Sequence, residues 1–271
     1  MKIGMISMAY TPGGHTKKQF ESILPHTKHD IVPFLFLHNS RYPELIDECE
    51  QVAETYPSCN YFPYGVNRGC SKSYNEGLYG SFITHGCDIV VGISQDVYYN
   101  TPIAFDAWIE DCTKHIHTHY IISNKDNREA NYAPFACWIC TPLMFKNLGY
   151  LDENFFPCQY EDIDINRRCS FLSGKPEANF SNNTYRTEVR SDSTHLTMLS
   201  RTDSLLRQQQ LSVTHPRCQE YYIRKWGGTS TKEQFIYPFN NPKFGYKIEW
   251  ENHDKPYGIQ YDRTDQDIVK V

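Results

Sequence analysis

Asp88-Ile89-Val90-Val91-Gly92-Ile93-Ser94-Gln95-Asp96-Val97-Tyr98-Tyr99-Asn100 is an apolar run that ends abruptly in polar groups. Ile89, Val90, Val91 and Ile93 do not alternate with polar residues, so the run reads as a strand buried on both faces, as in a parallel sheet covered by helices. Open sheets of that kind bind ligands in the crevice outside the carboxyl ends of their strands, which makes Asp96 a candidate ligand-contacting residue. An Asp after a strand also serves as a turn former, so its significance rests on what precedes and follows it.

Upstream, Lys2 to Ala9 is short and apolar and is broken by Tyr10-Thr11-Pro12-Gly13-Gly14, after which Lys17 to Leu24 suits a helix. A second apolar run, Ile31 to Leu37, ends in His38-Asn39-Ser40. Tyr42 to Tyr56, with Leu45, Ile46, Cys49 and Val52 at helical spacing, supplies the next crossover, and Tyr61-Phe62 marks a third strand. This βαβαβ alternation predicts a parallel sheet with right-handed connections. In the segment Asn67 to Gly77, Gly69 and Gly77 allow a backbone or a ligand to come close, and Asn67 and Ser71 suit helix caps. Tyr74, Leu78 and Phe82 recur every four residues and predict a helix face laid on the sheet.

Downstream, Pro102 to Ile116 reads as a helix, Tyr120-Ile121-Ile122 and Ala133 to Cys140 as strands, and Thr141-Pro142 as the cap and first residue of a short helix. In Glu161 to Cys169, Ile165, Cys169 and Leu172 form an inward stripe, and Asp162 lies on the same face in the first turn. Asp164, four residues before Arg168, reads as half of a surface ion pair. His195 falls in a polar stretch after a strand predicted from Tyr185 to Val189. Thr202 to Lys225 reads as a long helix, and the residues beyond Gly228, rich in Pro, Asn and aromatics, as an irregular arm that packs on the domain or on a neighbour.

The 271 residues suffice for one sizeable core with a C-terminal extension. A net charge of −5 argues against a generally basic nucleic-acid binder. The 20 Tyr, 15 Phe and 4 Trp offer rings for a core and for stacking on sugars or bases. Ten cysteines are scattered without a disulfide-like spacing, and Met1 to Ile6 reads as a strand rather than a signal peptide, so reduced thiols and a cytoplasmic protein are expected. Cys137-Trp138-Ile139-Cys140 lacks the second pair a zinc site would need. No apolar run reaches the ~18 residues of a membrane span.

In this order the pieces resemble the inverting family 2 glycosyltransferases of the GT-A fold, over about residues 2–228. Asn67-x-Gly69-x-Ser71-x-x-x-Asn75-x-Gly77 is similar to the family's Asn-x-Gly segment beside the donor nucleotide. Ser94-Gln95-Asp96 stands where the family carries Asp-x-Asp, and Glu161-Asp162-Ile163-Asp164 resembles its Glu-Asp motif, preceded by the Gly149 to Phe156 loop. His195 is similar to the late His of many GT-A metal sites. The chain departs from the pattern twice: Ser94 replaces the first Asp of the signature, and His38-Asn39-Ser40 replaces an Asp-x-Ser after the second strand.

The resemblance implies an α/β, Rossmann-like GT-A fold, with one mostly parallel central sheet flanked by helices and a C-terminal helical and irregular extension. Residues 1–200 would form the glycosyltransferase domain, with the nucleotide-sugar half at about 1–100 and the acceptor half at about 101–200. Residues 201–271 would form a helix and an arm packed on it, an arm through which two copies could also associate. It implies transfer of a sugar, with inversion, from a UDP-, GDP- or dTDP-sugar to a hydroxyl of a glycan, a protein or a hydroxylated nucleic-acid base, in the cytoplasm, or a host's cytoplasm for a viral chain. Asp162 would be the general base, with Glu161 beside it. Asp96 and His195 would bind Mn²⁺ or Mg²⁺. Tyr10, Asn39, Ser40, Asn67, Arg68, Gly69, Asn75, Gln95 and Asp96 would line the donor site, and Trp138 and Trp226 the acceptor side. Two alternatives stand beside this reading: a nucleotidyltransferase, and a non-catalytic binder of sugar nucleotides.

Overall fold

The structure, a computed structural model, describes residues 1–123, 136–172, 184–186, 193–195 and 213–259. Its strands are β1 (Lys2–Ala9), β2 (Asp30–Leu37), β3 (Asn60–Pro63), β4 (Ile89–Ser94), β5 (Val97–Tyr99), β6 (Ile121–Ser123), β7 (Cys137–Cys140), β8 (Thr184–Arg186) and β9 (Ser193–His195). A seven-stranded sheet has the order β3-β2-β1-β4-β7-β6-β8, and β5 pairs with β9 in a small second sheet. Within the large sheet β7 runs antiparallel to β4 and β6, and the other pairings are parallel. The expected mostly parallel sheet is therefore present.

The strand that decides the fold is buried on both faces, as its composition requires. Ile89, Val91 and Ile93 join one core layer with Phe20, Trp108 and Ile139, while Val90 joins the opposite layer with Tyr74, Trp138 and Leu148. Cys137 and Cys140, three residues apart in β7, fall into these two separate layers, which is why their Cys-x-x-Cys spacing does not bring the thiols together.

Helices α1 (His15–Ile23), α2 (Pro43–Thr55), α3 (Cys70–Leu78), α4 (Ala104–Thr113), α5 (Pro142–Leu148), α6 (Glu161–Leu172) and α7 (His215–Trp226) cover the sheet. Thr141 caps α5 as its sequence predicts, its hydroxyl accepting from the Met144 N–H at 3.2 Å. α1 has no side-chain cap of its own; Glu48 on α2 accepts from the Gly14 and Lys17 N–H groups at 3.0 and 2.9 Å instead. Gly77 faces the sheet, where an added Cβ would lie 2.5 Å from Ile6, so the close approach its position suggests is to β1 and not to a ligand. The start of the helix expected from Thr202 lies outside the described residues. The arm packs on the domain itself: Ile248 bridges to Gly149, and its amide and carbonyl bond Leu148 and Tyr150.

α6 departs from its sequence reading. Its apolar stripe covers less of the interior than expected, since Leu172 is exposed, and Asp164 and Arg168 are fully buried rather than a surface pair. Arg168 donates to Asp164 Oδ2 at 3.0 Å and to the carbonyls of Leu148, Tyr150 and Tyr246. Lys225 on α7 lies 2.6 Å from Asp164 Oδ1 and 2.8 Å from Asp152 Oδ2, and the Tyr221 hydroxyl and Trp226 indole N–H donate to the same two carboxylates. Burial alone would lower the Lys225 pKa, but Asp152 and Asp164 raise it above its ordinary value, so the ammonium stays charged. Two cations face two anions, and the cluster is neutral as a whole. Removing one member leaves an uncompensated buried charge, so Lys225→Met is expected to cost about 3–5 kcal/mol, measured by equilibrium denaturation in urea.

Candidate functional site

The sheet changes direction of growth at β1, whose neighbours are β2 on one side and β4 on the other. The crevice of such a sheet opens between the loops that follow those strands. Gln95, at the end of β4, is buried and closes that gap from below. Its Oε1 accepts from the Tyr10 and Thr11 amides at 2.9 and 3.0 Å, and its Nε2 donates to Thr11 O and Thr16 Oγ1. Gln95 thus shapes the first loop, with its amide fully used inside the protein. Gln19 on α1 does the same one turn away, donating to the Ser94 and Val97 carbonyls at 2.6 and 2.9 Å. Between those carbonyls lies Asp96, buried in the turn from β4 to β5. The β5–β9 register sets His195 opposite Val97, so the backbones of Asp96 and His195 come together at this turn.

At the end of β2 the three residues are occupied by internal bonds. His38 is buried, with Nε2 2.6 Å from Ser73 Oγ and Nδ1 3.1 Å from Asn67 Oδ1, and burial lowers its pKa to about 4, leaving a neutral ring. Asn39 Nδ2 donates to the Tyr10 carbonyl, and the Ser40 hydroxyl to Gly65 O. Asn67 Oδ1 also accepts from the Gly69 N–H at 2.9 Å, so it shapes the turn before α3, while the N-cap position itself is Gly69 without a side-chain bond. Tyr10 hydrogen-bonds the Asn67 side chain, and burial raises its phenol to about 12. It is therefore a neutral hydroxyl at the crevice wall. Arg68 is exposed, its guanidinium 4.7 Å from the centre of the Tyr64 ring.

The wall opposite is the loop from Phe156 to Tyr160. Gly69, at φ +89°, approaches it so closely that a Cβ there would lie 2.8 Å from the Phe156 ring, and the Cys70 N–H donates to Pro157 O at 2.7 Å. That loop delivers Glu161 and Asp162, half-buried at the first turn of α6. Asp162 Oδ1 accepts from the Ile163 N–H at 2.8 Å, whereas Glu161 Oε2 has no hydrogen-bond partner among the described residues. Desolvation raises Asp162 to about 6. Desolvation raises Glu161 well above the carboxylate range, and the charges of Asp162 and Cys158 add to the effect. The two carboxyls therefore titrate as a pair, each raised by desolvation and the charge of Asp162 raising Glu161 further.

The sequence reading placed Asn75, Trp138, Trp226 and Asp164 differently. Asn75 is fully buried and donates to Leu151 O and Glu153 Oε1 while accepting from the Leu151 N–H, so it fastens the loop before α6 and leaves no group for a nucleotide. Trp138 and Trp226 are core residues rather than acceptor-side rings, the first against Tyr74 and the second bonded to Asp164. The sequence reading also missed the pins: Gln19, Glu48 and the His38–Ser73 pair carry no motif, and only their polarity within otherwise apolar or helical stretches marked them.

No family model and no curated relative matches the sequence. Solved structures do share the fold, which is the GT-A type. A mannosyltransferase from Pyrobaculum calidifontis, solved with GDP-mannose and Mn²⁺, superposes with a TM-score of 0.52 at 11% identity over 68% of this chain and 54% of its own, so the chain spans about half the length of that enzyme. Glucosyl-3-phosphoglycerate synthase from Mycobacterium tuberculosis aligns at TM-score 0.49 and 13% identity over 80% of each chain, and a cytidylyltransferase from Leptospira borgpetersenii at 0.40 and 14% over 71% and 78%.

The raised Asp162 pKa has a stability consequence. Between its unfolded value near ~4 and its folded value the native state binds the extra proton, so the native state loses stability as pH rises through that window. Asp162→Asn keeps the acceptor for Ile163 and removes the charge. The variant is expected to melt about 2–4 °C above the parent at pH 7.5, as roughly 1 kcal/mol does in a chain this size, with the gain shrinking toward pH 4, measured by calorimetry.

Proposed function

We propose that the chain is a glycosyltransferase that moves a sugar from a nucleotide-diphosphate sugar to an acceptor hydroxyl with inversion. The observation that carries the reading is the carboxyl pair Glu161–Asp162 at the first turn of α6, both raised by desolvation and Glu161 with an unpartnered oxygen, set across the crevice mouth from the loops of a GT-A sheet. The likeness in fold to a mannosyltransferase solved with GDP-mannose and Mn²⁺ supports it.

In this reading the donor nucleotide lies over the loops after β1, β2 and β3, against Tyr10, Asn67, Arg68 and Gly69. Tyr10 offers a neutral O–H and Arg68 a permanent positive charge, both suited to diphosphate oxygens. The donor set of Asp96 and His195, one carboxylate and one imidazole at a strand end, fits Mn²⁺ or Mg²⁺ with phosphate oxygens completing the coordination. Among the described residues no three His, Cys, Asp or Glu side chains gather as a metal cage. When bound, such an ion neutralises charge that develops on the leaving diphosphate.

The acceptor oxygen attacks the anomeric carbon from the face opposite the diphosphate; the bond to the diphosphate oxygen breaks, and the hydroxyl proton passes to Asp162. A carboxylate whose pKa lies near 6 is a better base for that proton than an ordinary aspartate while still being ionised at neutral pH. Glu161, with one oxygen unpartnered beside Asp162, serves in this reading to hydrogen-bond the acceptor. The acceptor belongs to the glycan, protein or hydroxylated-base classes, and the side chains that select among them come from around the α6 turn.

Purified protein screened against UDP-, GDP-, CDP- and dTDP-sugars is expected to release nucleoside diphosphate in the presence of Mn²⁺. Formation of nucleoside triphosphate and sugar 1-phosphate from the same donors on addition of pyrophosphate would instead make it a nucleotidyltransferase, and binding without turnover across acceptors would make it a binder. Asp162→Asn should lower kcat by about 10²–10⁴-fold with donor affinity kept. The acid limb of the kcat profile should fall with an apparent pKa near 6, because Asp162 must be ionised to act.

A further inference from the structure

Ten cysteines are spread through the chain, and seven of them are buried. Of the three that keep some exposure, Cys59 stands apart, its thiol raised by burial to about 12 and so held as an unreactive S–H. The other two, Cys70 and Cys158, meet. Cys70 opens α3 and Cys158 lies three residues before Glu161, and their side chains hydrogen-bond each other. The backbone fixes this meeting independently: the Cys70 N–H donates to Pro157 O at 2.7 Å, and Gly69 leaves no room for a Cβ between α3 and the Phe156 ring. Cys218 on α7 holds the other side of the loop, with Sγ donating to the Phe156 and Cys158 carbonyls at 3.5 and 3.4 Å.

We propose that Cys70 and Cys158 are a reversible disulfide site, closed by a hydroperoxide, that ties the nucleotide-side helix α3 to the loop carrying Glu161 and Asp162. The hydrogen bond donated by Cys70 lowers the Cys158 pKa, against desolvation, as does the Gln159 side chain, the direction that favours the thiolate needed for attack on an O–O bond. Cys158 sulfur takes one oxygen from the hydroperoxide, which leaves as an alcohol or water, and becomes a sulfenic acid. Cys70 sulfur then attacks Cys158 sulfur, the S–S bond forms, and the hydroxyl leaves with the Cys70 proton as water. Two thiols are oxidised by two electrons and one hydroperoxide is reduced. Cys218, buried and with its thiol raised well above the usual range, stays an S–H throughout.

The crossing bond spans the crevice between its two walls. Either wall can then no longer shift relative to the other.

The full-length protein treated with stoichiometric hydrogen peroxide is expected to lose about 2 Da, reversed by dithiothreitol, with one cross-linked peptide pair containing Cys70 and Cys158 after digestion without reductant. Its thermal midpoint should rise on oxidation and fall back on reduction. Cys70→Ser should stop at the sulfenic acid, trapped by dimedone on Cys158, and Cys158→Ser should show neither product, while Cys59→Ser behaves as the parent. These readouts do not depend on any transferase activity. A cross-link through another pair, sulfenic acid without cross-linking in the parent, or no mass change at peroxide levels that oxidise a free low-pKa thiol would each overturn the proposal.

Discussion

A buried, charge-neutral cluster of Asp152, Asp164, Arg168 and Lys225 holds the second half of this molecule together. A lone ion in such a place would carry a desolvation cost of several kcal/mol; here each charge faces an opposite one within 3.0 Å, and the spare donors of Arg168 go to three backbone carbonyls. Those carbonyls belong to Leu148, Tyr150 and Tyr246, so one guanidinium fastens the end of α5, the loop after it and the C-terminal arm. The cluster also fixes the rotation of α6 about its axis. With Asp164 and Arg168 turned inward, the first turn presents Glu161 and Asp162 toward the crevice.

The same economy governs the N-terminal half, with amides in place of ions. Gln95 ties the loop after β1 to the end of β4, Gln19 ties α1 to the same turn, and His38 ties β2 to α3 through Ser73. Each is buried and nearly or fully used, as buried polar groups must be. The floor of the crevice is therefore tied internally, and Tyr10, Arg68, Glu161 and Asp162 lie around it.

The strands and crossovers were legible from their runs because an uninterrupted Ile-Val-Val stretch has few alternatives to a doubly covered strand. In α6 the inward positions of Ile165 and Cys169 were legible from their spacing, but not the exposure of Leu172 or the burial of Asp164. What misled was charge. An Asp and an Arg four residues apart look the same on a surface helix as in a buried cluster, and the residue that decides between them, Lys225, lies far away in sequence. Asn75 misled for a similar reason: an amide one helical turn beyond a Gly-rich start suits a ligand as well as the Leu151 backbone, and only the fold brings residue 151 beside it. Trp138 and Trp226 show that a large ring carries no sign of which side of the wall it faces.

The carboxylates of Asp152 and Asp164 leave the ribosome well before their partner Lys225, and Tyr246, whose carbonyl completes the Arg168 fork, comes later still. Until those later residues emerge, the turn bearing Glu161 and Asp162 has no neutral seat to settle into, whereas β1 to β4 with α1 to α3 can already pair among themselves. Synthesis would thus yield a first half that forms early through contacts near in sequence and a second half that waits on distant ones, the slower kind of closure. A nascent chain stalled before Lys225 would have Asp164 paired with Arg168 but would expose Asp152 without its cation, beside an incomplete apolar layer. That exposure is a signal by which quality control could tell an unfinished copy from a finished one.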